Sequence, residues 1–274
     1  MSEQAISVAI AYDFDGTLSP GNMQEYDFIP KLDVSPKDFW EKARVLAEAN
    51  QMDTILAYMW LMIREANVRG IAVRKSDFHD FGEQIRLFPG VADWFSRINI
   101  YAQSKGIRLE HFIISSGIRE MIEATPIHPE FKKVYASAFM FDHNGVACWP
   151  ALAVNYTTKT QYLFRINKGS LDVHDNSVIN KFVPTEERPV PFENMIFIGD
   201  GETDIPCMRL VKEQGGHAIA VYQPEKTGSK EHAEKLVEEG RATLFTVADY
   251  NQGKGIDLAV RAILDRIEAT SRIR

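Results

Sequence analysis

Val8-Ala9-Ile10-Ala11-Tyr12-Asp13-Phe14-Asp15-Gly16-Thr17-Leu18 decides the fold. Its first half is a short apolar run with β-branched residues, the pattern of a buried strand. Its second half is two carboxylates followed by Gly-Thr. A buried strand that finishes in Asp-x-Asp carries both acids at its carboxyl end, where open α/β sheets place their ligands. Asp13 and Asp15 have one residue between them, so they share a face if strand geometry persists through them. Ionised carboxylates that close repel each other, and a shared proton or a bound cation relieves the repulsion. Gly16 lets the backbone turn sharply and approach a ligand closely. Taken alone, the stretch fits equally well a strand followed by an acidic turn.

Working outward, no strongly strand-like stretch follows until about His111. Ser35-Pro36-Lys37-Asp38 is a helix start, with Ser at the N-cap, Pro at the first helical position and an acid in the first turn. A second helix is expected from about Met52 to Val68, stopping at Gly70, and a third from near Ser76. This is far more helix than a plain βα connection needs. Residues 19–87 are therefore read as an inserted helical cap domain, and residues 1–18 with 88–274 as the α/β core domain. Within the cap, Tyr58 to Ile63 fits the lining of a substrate pocket or a dimer face but fits buried cap core better, and Glu25, Arg64, Arg69 and Arg74 fit substrate contacts but fit charged helix surface better.

Past Phe88-Pro89-Gly90, the pattern alternates strand and helix. The strand Leu109 to Ile114 ends in Ser115-Ser116-Gly117, directly before an expected helix Ile118 to Ala124. Unpaired N–H groups at such a junction favour an anion, although Ser116 alone fits a simple helix cap. Val134 to Phe141 and Val146 to Val154 read as a hairpin about Asn144-Gly145, with Pro150 placing its return arm at a sheet edge. Lys159 stands just ahead of an expected helix, Gln161 to Asn167. Ser170 to Glu193 is polar and turn-rich; Asp172, His174 and Asp175 within it read as solvated loop. Asn194 to Ile198 is a buried strand ending in Gly199-Asp200-Gly201-Glu202-Thr203-Asp204, again acids at a carboxyl end. Ile205 to Glu213 reads as helix and His217 to Tyr222 as the last core strand. The alternation makes an α/β class with a parallel sheet, and right-handed crossovers bring the strand ends to one rim.

The chain has 274 residues, 25% charged and 45% hydrophobic, with a net charge of -7. That is ordinary for a globular protein and argues against nucleic acid or anionic membrane as a general partner. Two distant cysteines, Cys148 and Cys207, give no disulfide framework, which suits a reducing compartment and a cytoplasmic location. Met1-Ser2-Glu3-Gln4 shows no signal-peptide pattern, and no apolar run is long enough to span a bilayer. Oligomeric state is not readable.

In this order, Asp13-Phe14-Asp15-Gly16-Thr17, Ile114-Ser115-Ser116-Gly117, Lys159 and Gly199-Asp200-Gly201-Glu202-Thr203-Asp204 resemble the haloacid dehalogenase superfamily of phosphotransferases. The helical insert is similar to the cap of its phosphoserine-phosphatase-like branch. The resemblance implies a Rossmann-like parallel-sheet core and a Mg2+-dependent phosphatase acting on a small phosphomonoester. It implies Asp13 as the nucleophile that forms an aspartyl-phosphate and Asp15 as general acid and then base. It also implies that Ser115 binds a phosphoryl oxygen and that Lys159 offsets charge. Gly16, Thr17, Ser116 and Gly117 would shape the anion cradle. Asp13, Asp200 and the Asp15 backbone carbonyl would hold Mg2+, with Asp204 orienting a metal water or Lys159. Lys168 and Lys181 compete with Lys159 for the lysine role, because Lys159 lies far ahead of Asp200. A phosphomutase or other phosphotransferase, and a non-hydrolytic phosphate-binding regulatory protein, remain alternatives. A true dehalogenase is disfavoured, because a second acid at Asp15 suits protonation of an alkoxide.

Overall fold

The computed structural model describes residues 5–273; Met1 to Gln4, on which the signal-peptide reading rests, and Arg274 lie outside the described residues. The first strand, β1 (Ile6–Tyr12), leads into a helical segment: α1 (Phe28–Lys31), α2 (Pro36–Asn50), α3 (Thr54–Val68) and α4 (Lys75–Glu83). Ser35 caps α2 as its sequence predicts, its side chain accepting from the Asp38 N–H at 3.1 Å. Asp53 caps α3 by accepting from the Ile55 and Leu56 amides.

Helix α5 (Val91–Ser104) returns the chain to β2 (Ile107–Ile118), followed by α6 (Arg119–Ile122), β3 (Lys133–Phe141) and β4 (Ala147–Leu152). Then come α7 (Tyr156–Lys168), β5 (Met195–Gly199), α8 (Ile205–Glu213), β6 (His217–Tyr222), α9 (Ser229–Glu238), β7 (Leu244–Val247) and α10 (Gly255–Ser271). The seven strands form one sheet in the order β4-β3-β2-β1-β5-β6-β7, all neighbours parallel except the β3–β4 hairpin. Pro150 sits in β4, the edge strand, where a missing ladder donor is tolerated.

β1 is sandwiched on both faces, and its alternation assigns the layers. Val8, Ile10 and Tyr12 pack with α5 and α10 in one apolar cluster; Ala9 and Ala11 pack with α7, α8 and α9 in the other. The sheet order reverses between β1 and β5, and the crevice at such a reversal is where α/β sheets bind ligands.

Four expectations need correction. The sheet does not end at β6: the apolar run near Thr246 pairs beside it as parallel strand β7. β2 continues through Ser115-Ser116-Gly117 to Ile118 with a register break between Ser115 and Ile118, and α6 is one short turn rather than a helix to Ala124. Lys159 lies inside the first turns of α7, not ahead of it. The stretch from Ser170 to Glu193 is organised from within. Arg165, 3% exposed, donates to the carbonyls of Ser170, Asp172, Val173 and Asp175, and Lys168 to those of Ile179 and Lys181. Asp172 ion-pairs with Lys133 at 2.9 Å.

Candidate active site

The parity that buries β1 also builds the site. Asp13 follows Tyr12 directly and continues the Ala9–Ala11 side of the strand, the side on which α7 lies. Lys159 of α7 therefore meets it: its Nζ is 3.2 Å from Asp13 Oδ1 and 2.7 Å from Asp204 Oδ1, and its side chain is fully buried. Asp13 is itself pinned to β5, its N–H donating to the Ile198 carbonyl at 2.9 Å. The other oxygen of Asp204 accepts from the Asp200 and Gly201 amides at 3.2 and 3.1 Å. Carboxylate oxygens of Asp13, Asp200 and Asp204 lie within 4.8 Å of one another, from two strand ends distant in sequence.

Asp15 does not share this face, because β1 stops at Tyr12 and the chain turns, with the Leu18 N–H donating to the Phe14 carbonyl at 2.9 Å. Its carboxylate instead accepts from the Met23 N–H at 3.0 Å. The two acids thus occupy different environments. Burial, then the charges of Asp13 and Asp200, push the Asp15 carboxyl well above the usual range, against the Met23 hydrogen bond. Burial and the charges of Asp13 and Asp204 push Asp200 up as well. Burial and Asp13 push Asp204 up to about 7, against the pull of the Lys159 ammonium. Burial works against the charge on Lys159, but Asp13 and Asp204 outweigh it and hold the ammonium above its ordinary range.

One lysine does not balance three clustered carboxylates, and mutual repulsion adds to burial in raising Asp200 and Asp204. An all-oxygen donor set of this kind fits a hard divalent cation better than zinc. Gly16 keeps the space open: at φ +78° it has the left-handed backbone that favours glycine, and a Cβ there would stand 2.1 Å from Asp200 Oδ2.

Opposite the acids, the β2 irregularity presents Ser115, Ser116 and Gly117. Ser115 Oγ accepts from the Gly117 N–H at 3.1 Å, which leaves its own hydrogen free to donate. The Ser116 carbonyl accepts from Tyr58 at 2.7 Å and Ser137 at 3.2 Å. Gly117 is closely packed: a Cβ there would stand 2.2 Å from Met23 Cε, so the methionine side chain would have to move aside.

A cavity of about 470 Å³ opens above these groups, lined by Asp13, Asp15, Gly16, Ser115, Ser116, Gly117 and Asp200 from the sequence-derived set. Lys159 and Asp204 lie buried behind Asp13 instead. Thr17 is fully buried and does not line the cavity; its carbonyl accepts from the Tyr250 hydroxyl at 3.0 Å. The rival lysines are elsewhere: Lys168 seals loop carbonyls, and Lys181 lies exposed in that loop. The helical segment supplies the facing wall, including Gln24, Trp40, Arg44 and Tyr58, of which the sequence pointed only to Tyr58, in the run Tyr58 to Ile63. Their signal was only amphipathic spacing, which reads the same for core and pocket. Glu25, Arg64, Arg69 and Arg74 do not line the cavity; Glu25 instead accepts from Trp40 at 2.6 Å, and Arg69 pairs with Glu65. Among the described residues, no other cluster of His, Cys, Asp or Glu is arranged to hold a metal. No helix among them is long and apolar enough to cross a membrane. Both cysteines are free thiols.

Comparison with known proteins agrees with this geometry. An uncharacterized protein of Borreliella burgdorferi is 29% identical over 92% of this chain and 95% of its own. The fold is shared with a HAD family hydrolase of Salmonella enterica serovar Typhi, at TM-score 0.58 and 18% identity over 94% of this chain and 71% of that one. It is also shared with a phosphoserine phosphatase solved as a phospho-aspartyl intermediate analogue, at TM-score 0.51 and 13% identity over 85% and 99% of the two chains. The sequence profile of the haloacid dehalogenase-like hydrolases matches residues 10–209, and the chain belongs to that family.

Proposed function

We propose that the protein is a phosphatase that hydrolyses a small phosphomonoester through a covalent phosphate on Asp13. The observation that carries this reading is the division between two neighbouring acids: Asp13 paired to a buried ammonium at 3.2 Å, Asp15 held at the cavity with its carboxyl pushed well up. An Asp13 oxygen attacks phosphorus and the ester P–O bond breaks. The leaving alkoxide takes the proton of Asp15. A water then attacks the aspartyl-phosphate, giving its proton back to Asp15, and phosphate leaves with Asp13 restored. Lys159 fixes and offsets Asp13. Ser115 donates its free hydrogen to a phosphoryl oxygen, and the amides near Ser116 and Gly117 add to the cradle. Asp13, Asp200 and the Asp15 carbonyl would hold Mg2+, with Asp204 behind them. The bound cation would neutralise the acidic rim so that an anionic ester can approach. Residues 19–87 act as the cap that covers the cavity and selects the leaving group.

The experiment is hydrolysis of 4-nitrophenyl phosphate by the purified chain with Mg2+, with a chelator, and in Asp13→Asn. Metal-dependent release that disappears in the variant supports the reading; undiminished turnover in Asp13→Asn removes the nucleophile. Release of phosphate with no transfer to added alcohols separates hydrolysis from phosphotransfer.

A further inference from the structure

The aromatic and charged side chains of the cavity wall contributed by the helical segment already have polar partners. Tyr58 donates its hydroxyl hydrogen to the Ser116 carbonyl at 2.7 Å. Trp40 donates its indole N–H to Glu25 Oε1 at 2.6 Å, and Asn22 donates to the same oxygen at 2.7 Å. Arg44 is held by Glu41 and Glu48 on its own helix. What this wall still offers a ligand is uncharged: the side chains of Gln24, whose buried Oε1 has no partner, and Thr54, and above all ring surface from Trp40 and Tyr58 packed edge to face with centroids 5.6 Å apart, together with the side chains of Ala43 and Ile55. The clamps at the polar ends hold both rings in place before a ligand arrives, so little ordering entropy remains to be lost on binding.

We infer that this wall is the leaving-group subsite and that it selects phosphomonoesters of an uncharged, ring-bearing alcohol. An aromatic ring set against Trp40 and Tyr58 buries apolar area and gains the edge or offset contacts that aromatic groups prefer. A zwitterionic leaving group is a poor fit here. Its ammonium would need a free carboxylate, and its carboxylate a free cation. Arg44, the charge on this wall, is engaged by Glu41 and Glu48, and Glu25 lies outside the lining, while the remaining charges, Glu202 and Lys226, stand solvent-exposed at the core side of the cavity. The selectivity therefore differs from that of a phosphoamino acid phosphatase, although the core chemistry is of the same kind. The inference rests on the phosphatase reading of the same cavity.

Benzyl phosphate and ethyl phosphate test it, since both leave as alkoxides and differ by a ring; O-phospho-L-serine is the zwitterionic comparison. With Mg2+ and the full-length protein, kcat/KM for benzyl phosphate is expected to exceed that for each of the others at least tenfold. Trp40→Ala should reduce the benzyl-to-ethyl ratio below threefold, mainly by raising KM for the benzyl ester. Ethyl phosphate or phosphoserine used as well as benzyl phosphate overturns the subsite, as does a ratio unchanged by Trp40→Ala. Calorimetric binding of benzylphosphonate and ethylphosphonate to the wild-type protein needs neither turnover nor a folded variant. A tenfold preference for the benzyl compound supports the subsite, and equal affinity overturns it. Hydrolysis without ring preference defeats this inference and leaves the phosphatase standing; ring-selective binding without hydrolysis of any ester does the reverse.

Discussion

Helix α7 buries two cations, Lys159 near its start and Arg165 two turns on, and their partners differ in kind. Lys159 is fully buried between the carboxylates of Asp13 and Asp204. Arg165 is 3% exposed and faces dipoles: four backbone carbonyls and the Asn176 side chain at 2.9 Å. A planar guanidinium with five donors is suited to gather a loop around itself, while a compact ammonium is suited to sit between two acids. The first arrangement satisfies a polar connection and orders it. The second concentrates charge at the edge of the cavity. Burial of a charge is thus uninformative about function until its partners are named.

Replacing the two cations separates these roles. Lys159→Met is expected to lower kcat/KM for 4-nitrophenyl phosphate by about a thousandfold or more, in line with losses seen for groups that act as one catalytic unit. If Lys159→Met retains normal kinetics, the lysine belongs with Arg165 as a structural cation. Gly16→Ala perturbs the acidic end directly, since its Cβ overlaps the Asp200 carboxylate. A misplacement of that order costs about a hundredfold in turnover, and Mg2+ affinity measured by titration should fall with it. An unperturbed Gly16→Ala enzyme would show that Asp200 need not stand where it does.

Arg165→Met strands several loop carbonyls and should destabilise the fold by about 3 kcal/mol, read as a lower midpoint in urea. Cleavage between Ser170 and Glu193 by a protease should accelerate, while turnover per folded molecule stays near wild type. A collapse of kcat in a fully folded Arg165→Met would erase the distinction between the two cations.

His111 extends the comparison to a buried group kept neutral. Trp94 donates to Tyr12 at 2.9 Å, Tyr12 donates to His111 Nδ1 at 3.0 Å, and His111 Nε2 donates to Asn99 at 2.9 Å. Burial pulls its pKa down to about 3 from 6.5. The unfolded chain therefore takes up the proton first. The contribution of His111 to stability is complete above pH 6.5 and is lost as pH falls toward 3, at about 1.4 kcal/mol per pH unit. His111→Gln should be less stable than wild type at pH 7, with the difference narrowing at pH 5. A gap that stays constant with pH would mean that the imidazole titrates alike in the folded and the unfolded chain.

Much of the core was legible in the residues because its signals are local. The apolar runs ending in acids located β1 and β5, Ser35-Pro36 located the start of α2, and Ile205 to Glu213 is helix α8 with those bounds. Asn144-Gly145 and Pro150 located the hairpin and its edge strand. The domain division at residues 18 and 87 is a proposal of the same local kind. Sequence periodicity states which face of an element is apolar; it does not state which faces meet. Sheet order alone decided that β5 lies beside β1, so that Asp200 and Asp204 come within reach of Asp13. The turn after Tyr12 decided that Asp15 points to Met23 rather than along the Asp13 face. The position of α7 decided which of three lysines lies between carboxylates, since each is equally hydrophilic as a letter. Tyr58 belonged to a run that fits buried core and Trp40 to no motif, and only their placement over the strand ends made them a cavity wall. Strand ends and caps are written in neighbouring residues, whereas electrostatic and apolar partnerships arise between residues that only the packing of the layers brings together.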